Sequence, residues 1–340
     1  MPILPVPPHF DPDRVGALWR VPYEQRAIDA EAWAKTHAIQ LAGTDKERIC
    51  LLLIDCQNTF CTPGFELYVG GLSGRAAVED SIRICQFIYR NLGAITTIVP
   101  TLDTHTAMQI FHPLFWINAD GGHPVGGQTV ITLADLEANL WRVNPAVAGS
   151  LAGGDYAKLQ RHAIHYARRL SEEGKYPLMI WPYHAMLGGI GHALAASIEE
   201  ALFFHCQARR SQTLFQLKGE NPLTENYSAL APEVMKGADG NAIAQKNTAL
   251  IELLLSFDKV IVAGQAKSHC VAWTLDHLIT EIQARRPEYA GRLYLLEDCT
   301  SPVVVPGVID FTSQANDAFQ RFERAGARLV SSITPMDEWT

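Results

Sequence analysis

The sequence predicts an α/β fold built on a mostly parallel central sheet. Two observations lead to this class. Short runs of apolar and β-branched residues with no polar face recur along the chain, which is typical of strands that helices cover on both sides. Between these runs the apolar residues change to helical spacing, so that strands and helices alternate as in βαβ units.

The predicted elements follow one another regularly apart from two additions. A Pro-rich arm and a helix over 23–42 come before the first strand, and we assign residues 1–48 to an N-terminal extension. Residues 49–340 then form one domain, which an insertion rich in Gly, His and Ala interrupts at about 120–175. The predicted strands lie in ICLLLIDCQNTF, AITTIVPTLDTH, YPLMIWPYH, QTLFQLKG, KVIVAG, RLYLLED and ARLVSS. The predicted helices after the arm lie in AAVEDSIRICQFIYRNL, DYAKLQRHAIHYARRLSEEG, GHALAASIEEALFFHCQARR, AIAQKNTALIELLLSF, residues 270–285 and TSQANDAFQRFERAG.

Composition and charge limit the classes of partner. Lys and Arg number 28 against 36 Asp and Glu, a formal net charge of −8, and no basic run with interleaved aromatic residues is present. This argues against nucleic acid and against a membrane surface as partners. No segment resembles a signal peptide or reaches membrane-spanning length, so we expect a soluble, cytoplasmic protein. The sequence is compatible with a homo-oligomer.

The cysteines point away from structural cross-links. There are seven, an odd number, and none has CxxC spacing. A disulfide framework and a zinc knuckle are therefore both disfavoured.

Polar or aromatic residues stand at the ends of several predicted strands. In an open α/β sheet the carboxyl ends of the strands form one edge, where ligands bind. We therefore expect these side chains to share a rim: Asp55, Asp103, His105, Trp181, His184, Lys218 and Cys270.

Cys270 lies where the buried run KVIVAG gives way to a helical pattern. The unpaired N–H groups of a helix N-terminus stabilise a thiolate, which would make Cys270 a nucleophile. The alternative is a thiol that only packs in the core, because cysteine is among the most commonly buried residues. This stretch alone does not decide between the two.

Five sequence blocks carry a family resemblance. They are LLLIDCQNTFCTPG, TLDTH, WPYHAMLG, LKGENPLTENYSAL and GQAKSHCVAWTLDHL. In this order they resemble the nicotinamidase branch of the isochorismatase-like cysteine hydrolases, over roughly residues 49 to 331 apart from the insertion. The resemblance implies a Rossmann-like, three-layer αβα fold and a cysteine amidohydrolase mechanism.

The same resemblance implies a catalytic triad. Asp55 matches the general base, Lys218 the triad lysine and Cys270 the nucleophile. It also implies a cis peptide bond between Gln265 and Ala266, with the N–H groups of Ala266 and Cys270 forming the oxyanion hole. Such a site suits an amide, a poor electrophile that needs an activated thiol and a stabilised oxyanion. Taken singly, the aspartate is also typical of a strand-end cap and the lysine of a solvated surface group.

A second group of residues suits a metal ion. Asp103 and His105 are two apart on an extended segment and can point to the same side. Carboxylate and imidazole ligands are suitable for zinc, iron or manganese, and we expect zinc. The resemblance adds His184 as the third ligand and His112 as a candidate fourth, although its spacing is one residue longer than the family pattern. Three unrelated polar residues are the alternative.

Aromatic residues suit the walls of a flat pocket. Phe60 and Trp181 resemble the ring-stacking residues of the family, and Tyr227 lies in a block that borders its pocket. Phe60 and Trp181 fit a hydrophobic core equally well.

These features favour a metal-dependent cysteine amidohydrolase that releases ammonia from nicotinamide or a related aromatic amide through a thioester. One alternative keeps the cysteine chemistry but takes another small-molecule amide, or a carbamoyl or ureido compound. A more distant alternative is a non-catalytic binding protein with the insertion as its interaction surface. A metallohydrolase that uses water as its nucleophile would survive the loss of Cys270 but not that of His105.

Overall fold

The computed structural model describes residues 3–305, 307 and 309–339. Six parallel strands form its central sheet, in the order β6-β5-β4-β1-β2-β3. They are β1 (Ile49–Ile54), β2 (Thr97–Asp103), β3 (Gln216–Lys218), β4 (Lys259–Gly264), β5 (Leu293–Leu296) and β6 (Arg328–Val330). The parallel sheet predicted from the apolar runs is confirmed.

The strand order contains one reversal. Successive strands run outward from β1 through β2 to β3, and the chain then returns to place β4 on the other side of β1. Leu53 of β1 consequently pairs with Ala263 of β4. This is the order of doubly wound dinucleotide-binding folds, in which the reversal creates a crevice at the carboxyl ends of the two central strands.

Helices cover both faces of the sheet. On one face lie α2 (Ala76–Arg90) and α4 (Ala196–Arg209), and on the other lie α5 (Thr248–Leu255), α6 (Ala272–Arg285) and α7 (Thr312–Arg324). Helix α1 (Tyr23–Thr36) packs outside α4, and α3 (Tyr156–Glu172) lies in a separate core. Side chains alternate along β1: Leu51 and Leu53 belong to a core that includes α2 and α4, and Leu52 and Ile54 to a core that includes α5, α6 and α7. The result is three layers, as expected.

The N-terminal arm packs on the outside of α4. Arg26 of α1 forms an ion pair of 2.6 Å with Glu200 of α4. Further along, Asp45 pairs with Arg209 at the end of α4, and both side chains are buried. The arm is therefore joined to the sheet domain through buried charge as well as apolar contact. Its helix is shorter than the predicted 23–42, because Ala38 adopts a left-handed conformation with φ of 50°.

The residues between β2 and α4 form a third, separate core. This core draws on apolar side chains from Ile110 to Ile180 and extends to Val234. Helix α3 supplies much of one side, and two small antiparallel pairs, Trp116–Ile117 with Arg142–Val143 and Val130–Ile131 with Leu178–Met179, supply the rest.

The expectation that YPLMIWPYH forms a strand of the main sheet is wrong. Only Leu178–Met179 is extended, and it pairs within the third core. Two residues bury too little surface for a central strand, and the sequence returns to loop at Trp181 and Pro182. Trp181 and His184 therefore reach the rim from a loop.

Short elements complete the chain. Further α-helical turns are Asn58–Cys61, Leu133–Glu137 and Ala148–Ala152, and Val304–Val305 pairs with Ile309–Asp310. Turns of 3-10 helix are Pro12–Arg14, Ala42–Thr44, Pro113–Phe115, Pro145–Val147, Pro287–Arg292, Glu297–Cys299 and Met336–Glu338. Among the described residues no helix is both long and apolar enough to cross a bilayer.

Candidate active site

Four strands bring polar side chains to the edge of the sheet at the reversal. Asp55 follows β1, Asp103 ends β2, Lys218 ends β3, and Cys270 lies in the turn after β4. All four side chains are buried, and Cys270 is 7% exposed. Residues that are distant in the sequence are therefore assembled into one enclosed group.

Lys218 is the centre of this group. Its Nζ lies 3.0 Å from Asp55 Oδ2, 2.8 Å from Asp103 Oδ1 and 3.7 Å from Cys270 Sγ. It also donates a hydrogen bond of 2.9 Å to the carbonyl of Asn226. One ammonium group thus contacts two carboxylates and the thiol, and the structure brings the three predicted triad residues together.

Asp55 is held by its neighbours on both sides. Its backbone has a left-handed φ of 47°. Thr101 of β2 donates to Asp55 Oδ1 at 2.5 Å, and the same hydroxyl oxygen accepts from the Asp55 N–H at 3.1 Å. These bonds fix the carboxylate and leave Oδ2 directed toward Lys218. The role of Thr101 could not be predicted from the sequence, because this residue lies within an otherwise largely apolar strand.

The turn that carries Cys270 begins with a close approach of two strands. At Gly264, where φ is 115°, a Cβ atom would lie 2.1 Å from the carbonyl oxygen of Ile54, so only glycine fits. The Gln265–Ala266 bond is cis. A single π-helical turn over Lys267–Val271 follows and leads directly into α6. Cys270 thus precedes the regular helix instead of standing inside its first turn.

Burial has the largest effect on the pKa values of Cys270 and Asp55, the predicted nucleophile and general base. It raises the pKa of the Cys270 thiol well above its usual value, and the Lys218 charge only partly opposes this. It also raises the pKa of Asp55, again against the effect of Lys218. At Cys270 desolvation outweighs the favourable charge of Lys218 and favours the neutral thiol, and the stabilisation of a thiolate by the helix terminus stays a prediction.

Lys218 and Asp103 remain ionised. Burial alone would lower the pKa of Lys218, but the carboxylates of Asp103 and Asp55 raise it well above its usual value. Burial would likewise raise the pKa of Asp103, but His105 and Lys218 hold it well below the usual range. The lysine is thus a fixed cation between the other groups.

The second cluster adjoins the first through Asp103. One carboxylate oxygen of Asp103 and one ring nitrogen each of His105 and His184 lie within 4.8 Å of one another, and all three residues are buried. Asp103 Oδ2 is 3.0 Å from His105 Nε2 and 3.6 Å from His184 Nε2. The 3.0 Å contact lacks hydrogen-bond geometry, so His105 Nε2 is a buried nitrogen with no partner in the described structure.

The imidazoles are oriented as metal ligands usually are. His105 Nδ1 contacts the carbonyl of Gly219 at 3.1 Å, and His184 Nδ1 contacts that of Pro182 at 2.8 Å. In the neutral tautomer whose Nδ1–H donates to the carbonyl, Nε2 is the atom that would bind a cation. Burial lowers the pKa of His184, which favours the neutral form. Burial also acts to lower the pKa of His105, but the Asp103 carboxylate raises it, so a cation bound here would displace a proton from His105. This donor set fits a divalent ion such as zinc.

His112 lies beside this cluster. Its ring centroid is 5.8 Å from those of His105 and His184. Its Nδ1 contacts the Thr106 carbonyl at 3.0 Å, and its Nε2 is buried without a partner among the described residues. Burial lowers its pKa to about 3. The His112 ring is therefore oriented like the rings of His105 and His184. Its nitrogen atoms, however, do not belong to the set of ligand atoms that lie within 4.8 Å of one another.

The three predicted aromatic residues lie on different sides. The Phe60 ring meets His184 edge to face at 6.0 Å and otherwise belongs to the core beneath α2. Trp181 Nε1 donates to the Tyr227 hydroxyl at 3.2 Å, and both rings pack around His269, at 6.1 and 5.5 Å. Trp181 and Tyr227 therefore flank the residue next to Cys270, and Phe60 flanks the metal cluster.

One further residue near Cys270 was not predicted from the sequence. Tyr176 donates through its hydroxyl to the carbonyl of Ser268 at 3.1 Å, and its ring lies 5.0 Å from that of His269. It lies just beyond the predicted insertion, in a segment that the sequence predicts as a sheet strand. Nothing in the local pattern KYPLMIW indicates a contact with the turn after β4.

Comparisons with known proteins add a likeness of fold. No family model matches the chain, and no curated protein does. Solved structures that match include a nicotinamidase and pyrazinamidase from Acinetobacter baumanii, with 21% identity over 85% of this chain and 98% of that one and a TM-score of 0.48. The yeast nicotinamidase bound to the inhibitor nicotinaldehyde has 15% identity over 83% and 99%, also with a TM-score of 0.48.

A third match is the pyrazinamidase of Pyrococcus horikoshii in complex with zinc. It has 15% identity over 84% of this chain and 99% of that one, with a TM-score of 0.44. The chain is thus similar to nicotinamidases and pyrazinamidases, the family that its ordered sequence blocks resemble.

Proposed function

We propose that the protein is a cysteine amidohydrolase that converts nicotinamide or a related heteroaromatic amide into the acid and ammonia. The observation that carries this proposal is the position of Lys218, whose Nζ contacts Asp55, Asp103 and the Cys270 sulfur within one buried site. Well-packed apolar residues in place of the whole buried group would often give equal stability, so fold stability alone does not account for a lysine between two buried carboxylates. The Lys218 ammonium group does place a fixed positive charge beside Cys270 and Asp55. These two groups carry the negative charge in turn as the proton moves between them.

Proton transfer in the proposed reaction begins from the neutral thiol. As Cys270 Sγ attacks the amide carbon, the Asp55 carboxylate takes the thiol proton, and Lys218 stabilises the negative charge on sulfur. The raised pKa of Asp55 makes it a better proton acceptor than an ordinary aspartate. Concerted removal of the proton avoids a free thiolate, which burial disfavours.

The tetrahedral intermediate carries its charge on the former carbonyl oxygen. The N–H groups of Ala266 and Cys270 are the proposed donors to this oxygen. Asp55 then returns its proton to the nitrogen, the C–N bond breaks, and ammonia leaves a thioester on Cys270. Water attacks the thioester as Asp55 accepts one of its protons. Collapse of the second intermediate releases the carboxylic acid and restores the thiol.

The proposed cofactor is a divalent metal held by Asp103, His105 and His184, with His112 beside them. Zinc is our first choice because two imidazoles and a carboxylate with an open position are typical of its sites, and iron or manganese would fit the same ligands. When bound, the ion would supply a Lewis acid that attracts the ring nitrogen of the substrate. Phe60, Trp181 and Tyr227 are then the proposed walls around the ring.

The test is ammonia release from nicotinamide by the metal-loaded protein. We expect turnover with formation of nicotinate, and its loss in Cys270→Ala with an unchanged circular dichroism spectrum. Rapid acid quenching followed by intact mass measurement should show the nicotinoyl adduct on the wild-type protein. Ammonia release retained by Cys270→Ala would overturn the mechanism.

The segment between α3 and α4 supports a second candidate substrate class. Tyr176 bonds to the turn that carries Cys270, so the shape of the pocket depends in part on a residue outside the matched sequence blocks. A carbamoyl or ureido substrate would use the same three residues. Hydrolysis of such compounds without hydrolysis of nicotinamide would favour this alternative.

A further inference from the structure

Residues Lys175 to His184 form one segment that contacts the site at three points. Tyr176 bonds to the turn that carries Cys270, Trp181 bonds to Tyr227, and His184 lies in the metal cluster. The segment begins where α3 has ended, after the left-handed Gly174. The contacts of its first two residues, Lys175 and Tyr176, therefore determine where the segment lies.

The first residue, Lys175, attaches the segment to the loop that bears Tyr227. Its ammonium group donates to the carbonyl of Glu233 and lies 3.4 Å from the Glu233 carboxylate, which is buried. Glu233 in turn donates its backbone N–H to the carbonyl of Glu225 at 2.8 Å. The loop and the segment thus share a buried ion pair.

The next residue, Tyr176, attaches the segment to the turn after β4. Besides the bond to Ser268, its ring packs against Tyr227 at 6.2 Å, Trp273 at 5.7 Å and Phe311 at 5.5 Å. These rings come from three different parts of the chain. Tyr176 fills the space between them, on the side of His269.

Tyr176 and its aromatic neighbours pack around the ring of His269. It contacts Tyr176, Trp181, Tyr227 and Phe311, all within 6.1 Å. Ser268 Oγ accepts from the Val303 N–H at 3.0 Å and lies 2.8 Å from His269 Nδ1, so the ring is anchored from below. Burial lowers its pKa to about 4, which keeps it a neutral, flat wall.

We propose that Tyr176 is a specificity-determining residue that closes the side of the substrate pocket next to His269. The inference deepens the proposed function, on which it rests. With Tyr176 in place, the pocket accepts a single flat ring and excludes larger aromatic groups. The hydroxyl bond to Ser268 sets the position of the ring, and the ring provides the steric limit.

The test compares Tyr176→Ala, Tyr176→Phe and a control, Tyr156→Ala, in the metal-loaded protein. Tyr156 lies at the start of α3 in the third core, and its hydroxyl donates to Gln160 of the same helix. Nicotinamide and 5-phenylnicotinamide are the substrates. We expect Tyr176→Ala to raise the ratio of kcat/KM for the larger amide over the smaller by about tenfold or more, the discrimination that an apolar wall provides. Tyr176→Phe and Tyr156→Ala should leave the ratio within about threefold of wild type.

A second measurement does not depend on hydrolysis. Cys270 is alkylated with iodoacetamide and with 2-iodoacetanilide, which carry the same reactive group but differ by a phenyl ring. Adducts are counted by intact mass in a Cys206→Ser background, because Cys206 is the one other cysteine that is not fully buried. Tyr176→Ala should increase the rate of Cys270 alkylation by 2-iodoacetanilide about tenfold more than the rate of alkylation by iodoacetamide.

The two measurements separate the proposals. Size-selective alkylation that Tyr176→Ala relaxes, in a protein that does not hydrolyse nicotinamide, would support the role of Tyr176 and reject nicotinamide as the substrate. If Tyr176→Ala accelerates both reagents equally, or leaves both unchanged, the proposal is wrong. A loss of selectivity in Tyr156→Ala of the same size would also overturn it, because general loosening of the core would then explain the result.

Discussion

Lys218 and Asp103 join the two halves of the site through a contact of 2.8 Å between Nζ and Oδ1. The other oxygen of the same carboxylate, Oδ2, faces His105 and His184. Asp103 is thus a partner of the triad lysine and a candidate metal ligand at once. Any change at this residue should therefore alter the metal cluster and the nucleophile together.

The first prediction concerns this shared carboxylate. Asp103→Asn should weaken metal binding by more than the roughly 10- to 100-fold that loss of an outer partner costs. It should also lower kcat/KM at saturating metal, because Lys218 loses the nearer of its two carboxylates. Metal content by mass spectrometry and kcat/KM against metal concentration measure the two effects. Full recovery of activity by added metal would contradict the coupling, and Asp317→Asn, an exposed aspartate on α7, is the control.

The second prediction sets activity against stability at Asp55. Asp55→Asn should reduce kcat by roughly 10² to 10⁴-fold, the usual contribution of a general base. Because burial raises the pKa of Asp55 in the folded state, its stabilising contribution is present below the ordinary pKa of an aspartate and is lost as pH rises through the folded value. The variant should therefore be more stable than wild type at neutral pH.

Urea denaturation at several pH values tests this relation. The stability advantage of Asp55→Asn should shrink as the pH is lowered toward the ordinary range of a carboxyl group. In the wild type, kcat/KM should fall on the acidic side at a higher pH than an ordinary aspartate would give. A variant that is less stable than wild type at neutral pH would show that the ion pair with Lys218 outweighs desolvation.

The third prediction concerns the thiol. Because burial holds the pKa of Cys270 well above 9.0, its alkylation by iodoacetamide should continue to accelerate with pH through that value. Rates are read by intact mass in the Cys206→Ser background, and Cys270→Ala reports the reaction of the remaining cysteines. A plateau near neutral pH would indicate a resting thiolate and a different first step.

The fourth prediction ranks the histidines. His184→Ala should lower zinc affinity more than His112→Ala does, because only His184 places a nitrogen within 4.8 Å of both other donors. The expected loss for His112 is roughly 10- to 100-fold, as for a residue that supports a site without completing it. Competition with a chromogenic chelator gives both values, and equal losses would make His112 a full ligand.

The fifth prediction concerns the buried pair that joins the N-terminal arm to α4. Arg209→Met leaves Asp45 buried without its cation and should lower the free energy of unfolding by about 3–5 kcal/mol. Replacing Asp45 by Leu in the same protein should restore part of that loss. Urea denaturation measures both, with Arg161→Ala on the exposed face of α3 as the control. A double variant no more stable than the single one would show that the partner charge is not the cause.

Local pattern was sufficient to predict the sheet because its strands are nearly continuous apolar runs. Ile49 to Ile54 and Lys259 to Gly264 lie at its centre, and apart from Lys259 at the start of its strand they contain only buried apolar residues and glycine. The residues that follow them were therefore correctly expected at one edge. The prediction of a sheet strand around Leu178–Met179 was wrong because a short apolar run is equally typical of a small antiparallel pair in another core.

Features that depend on packing in three dimensions could not be predicted. The balance between burial and the Lys218 charge at Cys270 depends on how completely the site excludes water, which no local pattern reports. Thr101 and Tyr176 act through contacts with residues far away in the chain. Neither lies in a motif, and only the assembled fold gives them partners.

The strand reversal has a consequence for biosynthesis. Asp55 is translated early, but β4 pairs with β1 only after most of the chain has been made, and Cys270 follows β4. A nascent polypeptide still held at the ribosome before that point has β1 with one of its two edges unpaired. Cys270 thus cannot join Asp55 and Lys218 until residue 270 of 340 has emerged, and until then one edge of β1 is open to pairing with other extended segments.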